Sequence, residues 1–449
     1  MHEIDMTADE LVSALLNLAS SEPVCILDSC GVSHLGSHLL IAGMEPVETI
    51  EIMSDNAADS LKVLDDKLSG ELACVLTLSY DLGLKMLGIS SRSHRYEGPQ
   101  EPDIFLNCFD VLIFHDYDLS KTWLDGNQDK FEAVHRKLEQ NLLDIKFEIS
   151  DAPSSVTSNF SKKEYLAAVE LIKERIRCGD TYQTNLTQQL VAKLPPDITP
   201  EIVFARLRRN HPAPFSAFIK RFDSTIVSAS PERFFQVGGK GGNTTDGACA
   251  GIQTISTSPV KGTRSRGETV SEDNTLRQEL LTSRKDRAEN TMIVDLLRND
   301  LGRICEYGSV LVEKLCDLEE HPTLFHLVST VSGDLRPDTK SSDILKAVFP
   351  CGSITGAPKI STMQIIDEIE TTNRGLSMGA IGYYVPSSKF DVQSSKLELS
   401  VAIRTMVIRE QVATFNVGGG VVIDSDPESE YDETLLKAKA LLAAIGTSF

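Results

Sequence analysis

The acidic C-terminal segment carries the clearest chemical pattern in the sequence. In "DSDPESEYDETLLKAKALLAAIG", Glu430, Glu433 and Lys437 stand at i, i+3 and i+7, so a helix places them on one stripe of its surface. Two carboxylates one turn apart, followed by an ammonium group, can hold a Mg²⁺ ion and an anion that the metal also contacts. The alternative is a solvated charged face, which is the more frequent role of an acidic helix.

A second pair of carboxylates lies in "SRKDRAENTMIVDLLRND", where Asp286 and Glu289 are again at i and i+3. Taken alone, this segment is typical of an amphipathic helix with a charged face. Two carboxylate stripes in one chain favour a shared divalent ion, because Mg²⁺ binds a few carboxylates together with water and substrate oxygens.

Lys261 is the candidate for a reactive amine. It lies in "STSPVKGTRSRGE", with Arg264 and Arg266 close behind it, and is either a solvated charge or a nucleophile. A nucleophilic amine must be neutral part of the time, which requires desolvation or a neighbouring cation that lowers its pKa. The two arginines lie near enough in sequence to act as such cations.

Glu232 and His326 are candidates for proton transfer. Glu232 follows a strand-like run in "SASPERFF". In a pocket its pKa would rise and it could serve as a general acid, whereas on the surface it is an ordinary loop glutamate. His326 lies on an apolar run in "HPTLFHLVST", a context more typical of a hydrogen-bonded core histidine than of a catalyst.

Three further stretches could bind an anion. "CGSITGAPK" places Ser353 and Thr355 before Pro358, which suits the first position of a helix, where free N–H groups attract anions; a tight turn has the same composition. Gly418–Gly420 allow a strand either to approach a ligand closely or to form a bulge. Arg404 lies in a β-branched run, either on a solvent face or against a buried carboxylate.

The composition excludes several classes of function. The chain has 449 residues and a net charge of −21, which disfavours nucleic acid and anionic membranes as partners. Its nine cysteines form no C-x-x-C pair, so neither a zinc site nor a disulfide framework is indicated. No apolar run approaches the roughly 20 residues of a membrane span, and the acidic start does not resemble a signal peptide. We therefore expect a cytoplasmic location.

The order of predicted elements indicates an α+β fold. The Ser/Pro-rich "SDAPSSVTSNFS" predicts a boundary between an N-terminal α/β region, residues 1–150, and a core, residues 151–449. A capping box at Ser161 opens a helix that Gly179 ends. Strand-like runs then follow one another directly and favour antiparallel pairing; they cover 215–221, 225–229, 397–408 and 411–416. The Gly-rich segment 238–251 predicts a surface insertion.

Taken in order, these motifs resemble the chorismate-utilising enzymes, a family that includes anthranilate, aminodeoxychorismate, isochorismate and salicylate synthases. The stretches that carry the resemblance are "GDTYQTNLTQ", "SASPERFF", "SPVKGTRSRG", "KDRAENTMIVDLLRNDLGR", "HLVST", "CGSITGAPK", "IGYY", "VAIRT", "GGGVVIDS" and "ESEYDETLLKAKAL". The resemblance covers about residues 160 to 445. It implies two packed antiparallel β-sheets flanked by helices, with Mg²⁺ and chorismate in the cleft between them.

The resemblance also implies roles for individual residues. Glu289 and Glu433 match direct metal ligands, while Asp286 and Glu430 match carboxylates that lie nearby, some acting through water. Glu232 matches a general acid that protonates the departing C4 hydroxyl. The remaining matches surround the substrate carboxylates or the ring: Arg404, Lys437, Gly418, Gly419, Gly420, His326, Ser353 and Thr355.

Two positions separate the branches of this family. Isochorismate and salicylate synthases resemble one another in having a water-activating lysine where this chain has Gln183, which disfavours that branch. At the position of Lys261, anthranilate synthases have alanine and bacterial aminodeoxychorismate synthases have lysine. The resemblance therefore implies an aminodeoxychorismate synthase component I, in which the lysine attacks C2 of chorismate and ammonia then attacks C4. The alternatives are anthranilate synthase component I and a non-catalytic paralogue that binds tryptophan or the amidotransferase.

Partners follow from the same resemblance. No G-x-C-x-G-x-Q stretch is present, so we expect ammonia from a separate glutamine amidotransferase subunit. "CILDSCG" around Ser29 resembles the family's tryptophan-binding strand, which makes Ser29 a candidate contact for tryptophan.

Overall fold

The computed structural model describes residues 1–32, 38–89, 100–142, 155–239, 253–320, 324–392 and 395–447. These residues form two large antiparallel β-sheets with helices packed on their outer faces. The α+β class and the pair of packed antiparallel sheets predicted from the sequence are therefore confirmed.

The strands alternate in direction along most of the chain, as the closely spaced strand-like runs predict. Their bounds are β1 His2–Ile4, β2 Val24–Asp28, β3 Leu39–Met44, β4 Glu48–Ile52, β5 Ala73–Leu78, β6 Ile104–Phe109, β7 Val111–Asp116, β8 Lys121–Gly126, β9 Val156–Ser158, β10 Gln183–Lys193, β11 Phe215–Lys220, β12 Thr225–Ser230, β13 Arg233–Gly239, β14 Gln253–Thr257, β15 Val260–Ser265, β16 Leu311–Glu320, β17 Leu324–Asp334, β18 Gly356–Ala357, β19 Ala380–Val385, β20 Lys396–Val401, β21 Thr405–Arg409 and β22 Val412–Val421.

The helices begin at side chains that cap their free N–H groups in most cases. Their bounds are α1 Ala8–Ala19, α2 Ala57–Leu68, α3 Tyr80–Met86, α4 Phe131–Gln140, α5 Lys162–Arg177, α6 Pro200–Asn210, α7 Val270–Thr282, α8 Arg284–Gly302, α9 Ser341–Val348, α10 Lys359–Ile369 and α11 Pro427–Ala444.

Strands from both halves of the chain share both sheets. The first sheet has the order β1-β8-β7-β3-β2-β11-β12-β21-β22-β10-β18, with β9 also pairing β10. The second has the order β15-β17-β14-β13-β20-β19-β5-β6-β4, with β16 also pairing β17. The predicted boundary near residue 150 falls within 143–154, outside the described residues. Strands that precede it in the chain and strands that follow it belong to the same two sheets.

The sheets face each other across an apolar layer. Both sheets contribute side chains to this layer: Phe105 and Ile381 of the second sheet are buried in one cluster with Ile219 and Ile226 of the first. The outer faces are covered by helices, with α1, α6 and α11 on the first sheet and α2, α8 and α9 against the second. Burial of such side chains, worth about 1.5–3 kcal/mol each, holds the sheets at a fixed spacing.

Helix ends predicted from local signals agree with the structure. The Ser161 hydroxyl accepts from the Glu164 N–H and completes a capping box, and Asp426 caps α11 through the Ser429 N–H. Pro358, expected as the first helical residue, instead caps α10, which begins at Lys359.

One long predicted strand is divided in the structure. The run 397–408 is split into β20 and β21 because Arg404 adopts a left-handed φ of 49°, which interrupts the strand. Of the Gly-rich segment 238–251, only the first two residues, at the end of β13, lie inside the described ranges.

Candidate active site

Lys261 lies on β15 and points its amine at the loop that precedes β18. Its Nζ donates to the Ser353 carbonyl at 3.1 Å, and the side chain is half-buried. The next residue, Gly262, has φ +87°, and a Cβ there would lie 2.9 Å from the Asp286 Cβ, so glycine lets β15 pack closely on α8. The close packing of β15 on α8 thus places the Lys261 amine beside the loop that contains Ser353.

The two arginines beside Lys261 are engaged elsewhere. Arg264 donates to the Asp286 carboxylate at 3.2 Å. Arg266 forms an ion pair with Asp273 at 2.7 Å, and its guanidinium lies over the Phe325 ring. Both positive charges are compensated by neighbouring carboxylates. The contacts of the two arginines therefore do not support the role predicted for them as cations beside Lys261.

Glu232 is buried beside Lys261, in the turn between β12 and β13. The Val401 N–H donates to its carbonyl at 3.0 Å, which fixes the backbone, and Val260, the neighbour of Lys261, directs its N–H at the carboxylate from 3.5 Å. Burial raises the pKa of Glu232, and a hydrogen bond from Ser353 and the charge of Lys261 oppose that rise without overcoming it. A raised pKa favours the protonated form of the carboxyl, which is the form that a general acid uses.

Two carboxylates from different helices approach each other near these groups. Burial raises the pKa of Glu289 on α8, Lys261 and Lys285 oppose the rise, and the negative charges of Asp286 and Glu430 add to it. Glu289 Oε1 is buried and has no hydrogen-bond partner in the described part of the chain. On α11, burial raises the pKa of Glu430, whose Oε1 accepts from the Ser425 hydroxyl at 2.6 Å.

The other two predicted metal ligands are paired with cations. Glu433 lies 2.7 Å from the Lys437 amine, which lowers the pKa of that carboxyl in spite of burial. Asp286 is held by Arg264. Within the described ranges, no three His, Cys, Asp or Glu side chains lie close enough together to hold a metal ion.

These carboxylates nevertheless suit a divalent cation. Glu430 is buried and Glu289 is half-buried, and their charges repel each other. Glu289 Oε1 has no hydrogen-bond donor in the described residues and only a long 4.0 Å contact with the Lys285 amine, a combination that a bound cation relieves. A Cβ on Gly419 would lie 3.0 Å from Glu430 Oε2 and 3.7 Å from Glu433 Oε1. The glycine therefore leaves free space directly beside the carboxylates.

Strand β22 runs beside these carboxylates with three consecutive glycines, Gly418–Gly420, which we call the glycine wall. Gly418, Gly419 and Gly420 on β22 pair with Thr187, Leu186 and Asn185 on β10. The Lys437 amine donates to the Gly418 carbonyl at 2.8 Å, which brings α11 onto this strand. The strand is regular here, so the glycines serve close approach and do not form a bulge.

Gln183 begins β10 beside this wall. Its Nε2 occupies the space that a Cβ on Gly420 would fill, and its Oε1 is buried without a hydrogen-bond partner among the described residues. An unpaired buried amide oxygen next to a glycine backbone is suited to a hydrogen bond from a ligand.

Three further residues predicted for the site are His326, Ser353 and Thr355. His326 on β17 is buried, and its Nδ1 lies 2.9 Å from the Thr263 hydroxyl, which matches the core histidine that its sequence context indicates. Ser353 lies in a 3₁₀ turn, Gly352–Ile354, and Thr355 donates its hydroxyl to the Cys351 carbonyl at 3.0 Å. Thr355 is thus committed to the backbone of the loop.

Arg404 fits neither of its two predicted environments. It is half-buried rather than on an open solvent face, and its guanidinium makes no hydrogen bond or ion pair in the described residues. Burial alone lowers the pKa of Arg404, and no carboxylate counters it. The Arg404 carbonyl accepts from the N–H of Ala229 at 3.0 Å. Ala229 lies three residues before Glu232 in the chain. A partly desolvated arginine without a carboxylate partner is suited to receive an anion.

Ser29 lies apart from this centre, at the end of β2. It lines a small pocket of about 40 Å³ between the two sheets, together with Phe215, Tyr383 and Ser400. Its hydroxyl is buried and has no hydrogen-bond partner in the part of the chain that the structure describes. The pocket therefore presents an unused polar group among aromatic side chains.

Two functional candidates escaped the sequence analysis. Glu370 and Arg374 form a buried ion pair at 2.8 Å just after α10. Their i, i+4 spacing in "EIETTNRGLSMGAIGYY", with the arginine directly before an apolar run, was the available signal.

None of the described helices is long and apolar enough to cross a membrane.

Lys261 and Glu232, the carboxylates of α8 and α11, and the glycine wall thus lie close together in the described structure. The family model for chorismate binding enzymes matches residues 22–443. The chain belongs to this family, and it is a chorismate-utilising enzyme.

Individual relatives carry two different names. The chain is 34% identical over 439 residues to anthranilate synthase component 1 3 of Haloarcula marismortui, covering 90% of this chain and 82% of the relative. It is 35% identical over 360 residues to aminodeoxychorismate synthase component 1 of Bacillus subtilis, covering 78% and 72%. Its fold resembles anthranilate synthase component I from Streptococcus pneumoniae with a TM-score of 0.73 and 27% identity, over 91% of this chain and 93% of that one.

Proposed function

We propose that this protein is the synthase component that aminates chorismate at C4 to give 4-amino-4-deoxychorismate, through a covalent bond to Lys261. The observation that carries the proposal is the Lys261 amine, half-buried and held 3.1 Å from the Ser353 carbonyl, beside a Glu232 whose pKa is raised. An amine next to a protonated carboxyl can attack one carbon while the acid assists departure from another.

In the first step, the neutral Lys261 amine forms a bond to C2 of chorismate. Both conjugated ring double bonds shift, the C4–O bond breaks, and Glu232 gives its proton to the hydroxyl, which leaves as water. Ammonia then attacks C4, both double bonds return to their original positions, the C2–N bond breaks, and its electron pair returns to Lys261. Glu232 takes up the proton that the incoming nitrogen loses. The sum is chorismate plus ammonia giving the aminated product and water, and the enzyme is regenerated.

The substrate is a dianion, and the chain offers local positive charge against its overall charge of −21. Arg404 and Lys437 supply cationic groups, and Gly418–Gly420 a close-lying backbone. Glu289 and Glu433 would hold Mg²⁺ directly, with Asp286 and Glu430 nearby, and the ion when bound would neutralise a substrate carboxylate. The four predicted metal ligands and the direct or indirect role of each belong to this proposal.

Ammonia is proposed to come from a separate glutamine amidotransferase subunit, with free ammonium as a substitute in vitro. This arrangement assigns the protein to the supply of para-aminobenzoate for folate, a pathway in which a separate lyase would release pyruvate.

Product identification by mass spectrometry tests the proposal. The protein is incubated with chorismate, Mg²⁺ and ammonium, and separately with glutamine and an amidotransferase subunit. We expect 4-amino-4-deoxychorismate in both cases, without pyruvate release. Fluorescent anthranilate together with pyruvate would assign the other amination, which the names of the Haloarcula and Streptococcus proteins favour. An absence of chorismate turnover under every ammonia supply would favour the non-catalytic alternative.

The pocket at Ser29 is proposed to bind tryptophan. Its aromatic lining suits an indole ring, and the unpaired Ser29 hydroxyl can bond an amino or carboxylate group. Tryptophan should raise the melting temperature of the wild-type protein and have a smaller effect on Ser29→Ala. Equal shifts in both proteins would remove Ser29 from the site.

A further inference from the structure

The buried pair of Glu370 and Arg374 contacts both the loop that carries Ser353 and strand β10 of the candidate active site. Both side chains are almost fully buried, and two parallel hydrogen bonds of 2.9 and 2.8 Å join the guanidinium to the carboxylate. The guanidinium plane also lies over the Tyr80 ring, with its carbon 4.5 Å from the ring centre. The pair is therefore held from several sides in one orientation.

Arg374 uses its remaining donors on the backbone of two site segments. Nη1 donates to the Ile354 carbonyl at 3.1 Å, and Nη2 donates to the Asn185 carbonyl at 2.7 Å. Ile354 directly follows Ser353, whose carbonyl receives the Lys261 amine. One guanidinium thus connects the loop that orients Lys261 to strand β10.

Glu370 holds the same strand two residues further on. Its Oε1 accepts from both the N–H and the hydroxyl of Thr187, at 2.7 and 2.9 Å. Asn185 pairs with Gly420 and Thr187 pairs with Gly418, so the ion pair supports the part of β10 that faces the glycine wall. The carbonyl of Gly418 in turn accepts from Lys437.

We propose that Arg374 and Glu370 are positioning residues for the reaction, which fix the Ser353 carbonyl and the Gly418–Gly420 backbone at one relative position. Neither side chain has to touch the substrate, since both act through backbone groups. A buried ion pair contributes little net stability compared with a well-packed apolar pair, because both charges lose their hydration. Its geometric effect is larger, since a displacement of about 1 Å in a reacting group can lower a rate on the order of a hundredfold.

The guanidinium is specifically required by this arrangement. Arg374 serves Glu370, Asn185 and Ile354 from three nitrogens of one rigid plane. A lysine in its place has one nitrogen on a flexible stem and cannot reach all three acceptors at once. A purely electrostatic role would survive Arg374→Lys, whereas a positioning role would not.

Steady-state kinetics of three variants test the proposal: Arg374→Lys, Arg374→Met and Glu370→Gln. Chorismate consumption is followed at saturating Mg²⁺ and ammonium, and melting temperatures are measured in parallel. We expect kcat to fall on the order of a hundredfold in Arg374→Met, with a much smaller change in KM for chorismate. Arg374→Lys should recover only part of the loss.

Arg221→Met is the matched control. Arg221 forms a comparably buried ion pair with Glu101 at 2.9 Å, outside the network around the site. It should lower the melting temperature as Arg374→Met does and leave kcat within about threefold of wild type. If Arg221→Met and Arg374→Met lose kcat equally, the pair has a structural role and the proposal is overturned.

Two further outcomes decide the proposal. If Arg374→Met does not fold, Arg374→Lys and Glu370→Gln decide it: a kcat within about threefold of wild type in both overturns it, and a larger selective loss in either supports it. The inference rests on the proposed chorismate turnover but not on its product. Consumption is measured whatever product forms, so an anthranilate product would refute C4 amination and leave this test intact.

Discussion

Glu232, in the turn before β13, and Glu398, on the neighbouring strand β20, are two buried glutamates whose surroundings move their pKa values in opposite directions. Burial raises the pKa of Glu232. Burial acts on Glu398 too, but Lys396 and Arg233 overcome it and lower the pKa of Glu398 to about 2. Arg233 donates to Glu398 Oε1 at 2.8 Å, and the Tyr383 hydroxyl donates to Oε2 at 2.8 Å.

The difference separates a structural carboxylate from one that can react. Both carboxylate oxygens of Glu398 accept hydrogen bonds, and the carboxyl stays ionised near neutral pH because its pKa is lowered to about 2. Glu232 lies beside an amine and lacks a strong compensating donor. Within the described residues, Glu289 Oε1 likewise has no hydrogen-bond donor, and the Arg404 guanidinium has no carboxylate partner. Buried charge that the protein leaves uncompensated is stabilised when a ligand of opposite charge binds.

Removal of the Lys261 amine should have the largest effect. Lys261→Ala should slow formation of the aminated product by about a thousandfold or more, because the covalent step is lost. Lys261→Arg is the control, since it retains the charge without a nucleophile. Both variants should still bind Mg²⁺ and chorismate. If Lys261→Arg turns over chorismate at the wild-type rate, the role of Lys261 is electrostatic and not covalent.

Glu232→Gln should lower kcat by about a hundredfold or more, because a general acid contributes on that scale. The variant should be at least as stable as wild type at neutral pH, since it removes a carboxylate that burial disfavours. Single-turnover assays and chemical denaturation check the two halves of this prediction. Loss of stability with full activity would reverse the assignment of the two glutamates.

Glu433→Gln should weaken the apparent affinity for Mg²⁺ by at least about tenfold and reduce chorismate binding with it. Glu428→Gln, on the same helix but in an exposed ion pair with Lys162, is the control and should change neither. Titration of activity against Mg²⁺ measures the effect. Equal Mg²⁺ dependence in the two variants would remove Glu433 from the metal site.

Glu398→Gln should affect stability far more than turnover. Breaking a buried ion pair on one side costs about 3–5 kcal/mol, because Arg233 is left without its counter-charge. Denaturant unfolding should show this loss, while kcat at a temperature where the variant is folded should fall far less than in Glu232→Gln. A kcat loss as large as that of Glu232→Gln would connect Glu398 to the reaction.

The pH dependence should have opposite signs for the two glutamates. The raised pKa of Glu232 means that its contribution to stability is greatest below its ordinary value of 4.5 and declines as pH rises through the folded pKa. Glu398 contributes stability above 4.5 and loses it as pH falls towards about 2. Turnover should also fall as pH rises and Glu232 loses its proton. Unfolding free energies of each Gln variant against wild type, measured across pH, check the signs.

Local signals in the sequence were sufficient for the ends of α5 and α11 and for the antiparallel pairing of the strands. The capping boxes and proline positions act over three or four residues, so the limits of α5 and α11 are readable without a tertiary structure. The left-handed φ of Arg404 is not readable in this way, because the β-branched residues around it favour a continuous strand.

The sequence by itself determined the class of the fold, the family, and the residue types available for chemistry at Lys261 and Glu232. Only the tertiary structure decided how charges are paired: Arg264 and Arg266 with carboxylates, Arg404 with none among the residues the structure describes, and Arg374 with a strand nearly two hundred residues earlier. The physical reason is range. Hydrogen bonds and ion pairs act over a few ångströms in space, and the packing of two sheets, not the order of the chain, sets which groups come that close.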